Sequence, residues 1–422
     1  MRTLLVVVDS LRADALGCYG STLATPTVDH LAASGARFET VISSAPWTLP
    51  SLAAMLTGVW SHRLGLLKWE QPWPRELPTL FDCFRARGIE TASFVFDPSC
   101  LFRSCPEASV VGCSQDTAPM LAWLRERQHR DYFALVHYWW THVPYLGRKL
   151  PLAAWNKVCS QILELLSVAD PAERRANREQ VKGLYALAVQ HFSETWLPAL
   201  LDAARADVVV LVADHGESWG ERLAADRTLR DVFDLHGNHL HDEVMAVPWI
   251  VHAPGLVAPA VVKGVARTVD LAPTLVELLE LDSPTHRAPT LHATQAGFTR
   301  SGRSLVPALL SGEIAGDPLA FCARNLDFVD ARALPTDPDS AYVELACRDR
   351  ASKVIDAFRG GDAREYDLGA DPGELCPKAL GDPASSALGR ALESERQAAV
   401  VAAHDPDDFA RMKAQLRSLG YL

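Results

Sequence analysis

Two unbroken apolar runs, rich in β-branched residues, dominate the chain: Thr3 to Val8 and Asp207 to Ala213. A strand with one wet face alternates apolar and polar residues. A continuous run marks a strand buried on both faces, as in a parallel sheet covered by helices. Weaker examples occur at Ala36 to Phe38, Thr91 to Phe96, Tyr132 to Tyr138 and Val247 to Val251. Between them lie helical patterns: one opens at Thr25-Pro26, one follows Thr48, and others cover 77–87, 120–128 and most of 152–205. Strands that alternate with helices predict an α/β fold, a doubly wound and mostly parallel sheet. After about residue 312 the texture changes. Ala341 to Cys347 and Ser352 to Phe358 read as antiparallel strands, and 384–419 reads as helix with a break at Pro406. The expected division is a catalytic α/β unit, 1–312, and a smaller C-terminal unit, 313–422, built on an antiparallel sheet and a terminal helix.

The polar residues that end the strong strands carry the candidate chemistry. The first run stops at Asp9-Ser10 and the second at Asp214-His215. In open α/β sheets ligands bind beyond the carboxyl ends of strands. A third element, Ser44 to Gly58, reads as a loop entering a helix. Pro50 suits a first helical turn, Leu52, Ala53, Met55 and Leu56 form an apolar face, and Gly58 stops it. Thr48 stands at that helix N-terminus, where unpaired N–H groups favour negative charge. It reads either as a helix N-cap or as a hydroxyl held for chemistry. Asp9, Asp214, His215 and Thr48 form a mixed oxygen and nitrogen set suited to one divalent ion: Mn²⁺, Ca²⁺, Mg²⁺ or Zn²⁺. Arg12 and Asp14 read as supports. The charged stretch Glu173 to Glu179 reads as a solvated helix face.

Composition narrows the partners. Net charge is −11, and no Lys/Arg cluster is interleaved with aromatics, which argues against a nucleic-acid face. The first apolar run is too short to span a membrane and has no signal-peptide pattern. Nine cysteines without a CxxC pair fit reduced thiols, so the expected compartment is cytoplasmic. Oligomeric state is left open.

Several pieces, in order along the chain, resemble the sulfatase-type family of the alkaline phosphatase superfamily. They are VVVDSLRADALGCYG (6–20), TPTVDHLAASGARF (25–38), SAPWTLPSLAAMLTG (44–58), HYWWTHVPY (137–145) and VADHGE (212–217). HGNHLHDEVMAVPWIVHAPG (236–255), VDLAPTLVELLEL (269–281), REYDLGADPGE (364–374) and LRSLGYL (416–422) complete the set. The resemblance implies an alkaline phosphatase-like sheet with a small C-terminal antiparallel sheet. It implies metal ligands at Asp9, Asp214 and His215, a nucleophile at Thr48, and substrate contacts from His142 and His236. His239 and His241, on the same loop as His236, read as either functional or structural. Trp139, Trp140 and Tyr145 are candidate pocket walls or core, and His137 reads as a packed core histidine.

The departures from the family redirect the chemistry. Sulfatases carry Cys or Ser before x-Pro-x-Arg, which is converted to formylglycine; here the frame is Thr48-Leu49-Pro50-Ser51-Leu52. Ser10 replaces a second Asp, and Phe96-Asp97-Pro98 stands where the family places a lysine. Two-metal relatives carry an extra Asp-x-x-x-His; the Asp282 and His286 pair falls outside that slot and reads as incidental. The expectation is therefore a one-metal hydrolase acting on a small or conjugated anionic phosphate-type ester through Thr48. The alternatives are a sulfuric ester hydrolase without formylglycine, a phospho-group transferase, or a non-catalytic binding protein.

Overall fold

The N-terminal apolar run forms β1 (Arg2–Val8), buried from its second residue onward. The structure is a computed structural model that describes residues 1–65, 77–95, 110–113, 117–146, 152–221, 235–237, 239–281, 301–325, 343–356 and 363–398. Strands β2 (Ala36–Ile42), β3 (Glu90–Val95), β4 (Val110–Cys113), β5 (Tyr132–Tyr138), β6 (Val208–Ala213), β7 (Trp249–His252) and β8 (Ala260–Arg267) surround it. Their order is β4-β3-β5-β1-β6-β7-β2-β8. Every described pairing in this sheet is parallel except those of β7 with β6 and β2. The mostly parallel sheet is therefore as expected. Strands β4 and β8 are additions that the apolar pattern did not mark.

The helix Thr48–Thr57 forms for the anticipated reasons. Pro50 lies in its first turn, and Gly58 ends it with φ 71°, donating its N–H to Ala54 O at 2.9 Å. All its residues are buried except Thr48, which is half-buried. The helix Pro171–His191 begins where Asp170 accepts hydrogen bonds from the Ala172 and Glu173 amides at 2.9 and 2.8 Å. Its charged stretch is not uniformly solvated: Arg174 and Asn177 are buried, and Asn177 donates to Leu165 O at 2.9 Å. The packed neighbour Leu152–Leu166 turns that part of the helix inward. No described helix is long and apolar enough to cross a membrane.

The C-terminal part folds as an antiparallel sheet: β9 (Ala320–Asn325), β10 (Val343–Arg348), β11 (Ser352–Ile355), β12 (Ala363–Asp367) and β13 (Lys378–Leu380), in the order β13-β12-β11-β10-β9. The helix Ala387–Ala398 lays Leu388 and Leu392 on Leu345 and Val354, in one apolar cluster with Trp60 and Val269 of the larger unit. The break expected at Pro406 lies outside the described residues. Glu395 pairs with Arg63 at 2.6 Å and His62 at 3.0 Å, tying this helix to the segment that follows Gly58.

A buried charge cluster makes the second tie. Lys353 of β11 is fully buried, 2.9 Å from Asp242 and 2.9 Å from Glu374. Asp242 also receives Arg348, and its backbone N–H donates to Glu374 at 2.6 Å. Burial opposes the charged forms. The partners outweigh it: Lys353 and Arg348 hold Asp242 below the usual carboxylate range, and Asp242 and Glu374 hold Lys353 above the usual ammonium value. Removing one member of a buried ion cluster strands the rest. Lys353→Met is expected to destabilise the protein by about 3 kcal/mol in urea unfolding, because the buried Glu374 loses its cation while Asp242 keeps Arg348. A loss under about 1 kcal/mol would show that the cluster is solvated in solution.

Candidate active site

Register brings the site together. In the parallel trio β5-β1-β6, Val7 pairs with both His137 and Val212, and Val8 pairs with Ala213. Asp9 and Asp214 are each the next residue on neighbouring strands, so their side chains leave the sheet side by side. Alternate strand positions share a face, and His137 therefore sits one step beneath Asp9. Its Nε2 lies 3.4 Å from Asp9 Oδ2 and 3.4 Å from Asp214 Oδ2. The expectation that His137 is a packed core histidine is corrected: it is buried, but it faces both carboxylates. The available signal was its position near the end of a strand parallel to β1.

Thr48 enters from the helix above. Trp47, extended at φ −156° and ψ 163°, takes the N-cap position, and Thr48 is the first helical residue. Its Oγ1 caps no amide. It donates to Asp9 Oδ2 at 3.2 Å and lies 3.4 Å from His215 Nε2. The N-cap alternative for Thr48 is thereby set aside. Ser10 Oγ donates to Asp9 Oδ1 at 2.8 Å, and the His215 amide donates to Asp214 Oδ1 at 2.8 Å. His215 Nδ1 faces Gly216 O at 2.8 Å, which fixes Nδ1 as the protonated nitrogen and turns the Nε2 lone pair inward.

The electrostatics are those of two buried carboxylates with oxygens within 4.8 Å of each other. Burial and the neighbouring Asp214 push Asp9 well above the usual carboxylate range. Burial acts on Asp214 in the same direction, but His215 and His137 outweigh it and hold it low, at about 2. Burial lowers His215, and it lowers His142 strongly, with His236 adding to the effect. Asp9, Asp214 and His215 each offer a ligand atom within 4.8 Å of the others. Asp214 Oδ2 and His137 Nε2 are buried without an aligned hydrogen-bond partner among the described residues. A divalent cation fits this set: it would satisfy both atoms and offset the carboxylate repulsion.

The remaining histidines divide. His236 Nδ1 lies 2.9 Å from Glu217 Oε1, and its ring is 4.6 Å from His215 and 4.8 Å from His142. Glu217 is fully buried and also accepts from Tyr145 Oη at 3.0 Å. Glu217 was not singled out from sequence; its signal was the carboxylate ending the VADHGE segment. Trp139 stacks on His142 at 4.4 Å with one face and on Trp155 at 4.7 Å with the other, while Trp140 meets Trp155 at 6.5 Å. Trp139 and Tyr145 thus wall the site, and Trp140 belongs to the packing behind it. Arg12 binds Asp14 at 2.8 Å and Glu217 O at 3.0 Å, a support as expected. His239 and His241 pair with each other instead, Nδ1 to Nδ1 at 3.3 Å. Phe96 to Pro98, Asp282 and His286 lie outside the described residues.

Comparison with known proteins bears on the fold and on the N-terminal segment. Residues 2–98 match the family model described as Sulfatase. Human arylsulfatase D is 47% identical over 64 residues, 15% of this chain and 11% of that protein. The chain thus aligns with about a tenth of the length of the first curated relatives it matches. Among solved structures, the phosphonate monoester hydrolase of Agrobacterium radiobacter superposes with a TM-score of 0.65 at 18% identity, covering 98% of this chain and 95% of that one. A 2-O GAG sulfatase gives 0.64 at 19% identity, covering 99% and 94%. At these identities the structural likeness speaks for the fold: the alkaline phosphatase-like arrangement of both sheets.

The ligand assignment generates one measurement. Asp214→Asn and His215→Ala are each expected to weaken Mn²⁺ binding at least about tenfold in titration calorimetry, the range seen when metal-supporting groups are lost. His142→Ala, aimed at the substrate side, should stay within about threefold. Equal losses from all three would remove the distinction between ligands and pocket wall.

Proposed function

We propose that this chain, sulfatase-like in its N-terminal segment and alkaline phosphatase-like in its fold, is a metal-dependent ester hydrolase that attacks phosphate-type esters with Thr48. The observation that carries the reading is the Thr48 hydroxyl. It is half-buried at the mouth of an otherwise buried cluster, 3.2 Å from Asp9 and 3.4 Å from His215 Nε2. A divalent cation held by Asp9, Asp214 and His215 would neutralise charge on the ester and favour the deprotonated hydroxyl.

The protein groups supply the rest. Asp9 already accepts the hydrogen bond of the Thr48 hydroxyl, so the proton has a fixed route off Oγ1. The oxygen attacks phosphorus in line, the bond to Thr48 forms, and the bond to the leaving oxygen breaks. In this reading His236 gives the leaving oxygen its proton, a role supported by its 2.9 Å contact with the buried Glu217. Water then attacks phosphorus as His236 takes its proton, the bond to Thr48 breaks, and Thr48 Oγ1 recovers its proton from Asp9. The Thr48–Leu52 frame supports phosphorus over sulfur, because no formylglycine can be made there. Phosphonate monoester hydrolases among the structural neighbours support the same class.

A sulfate-ester reading is favoured by the family match over residues 2–98. Kinetics on matched aryl phosphodiesters, phosphonates, phosphomonoesters and sulfates, each with Mn²⁺, Mg²⁺, Ca²⁺ and Zn²⁺, separate the two. The expected order places a phosphorus ester first; a higher kcat/KM on the aryl sulfate overturns the proposal. Thr48→Ala is expected to fold normally and to lose about three or more orders of magnitude in kcat, because the covalent route is removed. Thr48→Ser should retain part of the activity. Wild-type turnover by Thr48→Ala would end the nucleophile assignment.

A further inference from the structure

His239, His241 and Glu243 alternate along the chain as it enters the short helix Asp242–Met245. In extended backbone, alternate residues fall on one side. Leu240, between the histidines, is fully buried in an apolar cluster with Ile42, Val265 and Tyr366. The two imidazoles are thereby brought together, with ring centroids 5.2 Å apart and Nδ1 atoms 3.3 Å apart. That separation is the edge of a tetrahedron about an ion with nitrogen bonds of 2.0–2.1 Å, about 3.3–3.4 Å. One ligand atom from each of His239, His241 and Glu243 lies within 4.8 Å of the others. His241 Nε2 faces Tyr366 Oη at 3.2 Å. With Nε2–H donating to that oxygen, as the far nitrogen of a ligating histidine does, Nδ1 would be the binding atom. The neighbouring Asp242 is engaged by Lys353 and Arg348, so Glu243 is the carboxylate of this group.

We propose that His239, His241 and Glu243 form a second cation site, of zinc type, that shares no residue with the Asp9, Asp214 and His215 cluster. Two imidazoles and one carboxylate suit Zn²⁺ or Co²⁺ over Mg²⁺ or Ca²⁺. The site joins two parts of the molecule. His239 lies three residues beyond the active-site His236, whose successor Gly237 donates to Pro46 O at 2.8 Å, and Tyr366 belongs to β12. A cation there pins the His236 loop to the small sheet.

The test is metal stoichiometry of the untagged full chain, by equilibrium dialysis against Zn²⁺ alone, with visible spectra of the Co²⁺ form. Wild type is expected to bind two equivalents and Asp214→Asn one. His239→Ala/Glu243→Gln, at two half-buried positions, should also bind one, with at least about tenfold weaker affinity at the lost site and no tetrahedral Co²⁺ band. Circular dichroism establishes that each variant is folded; if the double variant is not, Glu243→Gln alone is read in the same way. Two equivalents in the folded double variant, or a single wild-type equivalent that Asp214→Asn abolishes, overturns the second site and leaves the first standing. Two equivalents in Asp214→Asn, with one lost in the double variant, overturns the first and leaves the second.

Discussion

The structure depends on holding two carboxylates, Asp9 and Asp214, within 4.8 Å of each other at the ends of adjacent buried strands. Both are fully buried. Like charges in so low a dielectric repel strongly, so the ordinary outcome is that one takes a proton or a cation joins them. The surroundings are arranged around that conflict. His137 lies beneath both carboxylates, His215 lies beside them, and Ser10 and Thr48 donate to Asp9. The strain stays local because strands β5, β1 and β6 fix the main chain from below. Each is apolar on both faces, and none can slip register without exposing that surface.

The upper side of the site is fixed from farther away. Gly216 donates to Val244 O at 2.6 Å, and a Cβ at Gly216 would meet Glu243 O at 2.3 Å. The loop that carries Asp214 and His215 therefore rests directly on the short helix Asp242–Met245. Asp242 at the start of that helix is held by Lys353 of β11, and Glu374 closes the cluster. A chain of contacts thus runs from the small antiparallel sheet to His215. The small sheet has a mechanical part in the site although its described residues donate none of the central groups.

Chemistry follows from how little of the cluster is accessible. Thr48 is the half-buried member, at the start of a helix whose other residues are buried. Trp139 stacked on His142, and Tyr145 bonded to Glu217, shape the approach. The same sheet supports sulfate and phosphorus chemistry in structural relatives, so the fold does not choose between them. In the function proposed above the threonine makes the choice: its single hydroxyl can form and release one ester bond and has no second oxygen for the hydrate chemistry of an aldehyde.

Sequence by itself determined the parts that obey short-range rules. Unbroken apolar runs specified the buried parallel strands, Pro50 and Gly58 bounded the helix behind Thr48, and strand-end polarity marked Asp9, Asp214 and His215. Tertiary structure decided what depends on register and on contacts between distant segments. His137 looks like any core histidine until β5 is laid beside β1 with His137 opposite Val7. Glu217 gains meaning from His236 at 2.9 Å, nineteen residues away. Arg174 faces inward because a neighbouring helix covers it, which a charge pattern does not record. Three histidines on one loop look equivalent in the chain. Folding sends His236 to Glu217 and His215 and holds His241 against Tyr366 with His239 beside it, because Leu240 between them is driven into the core. A residue's neighbours along the chain fix its local geometry; the neighbours that set its chemistry arrive from other strands, through packing that no local pattern encodes.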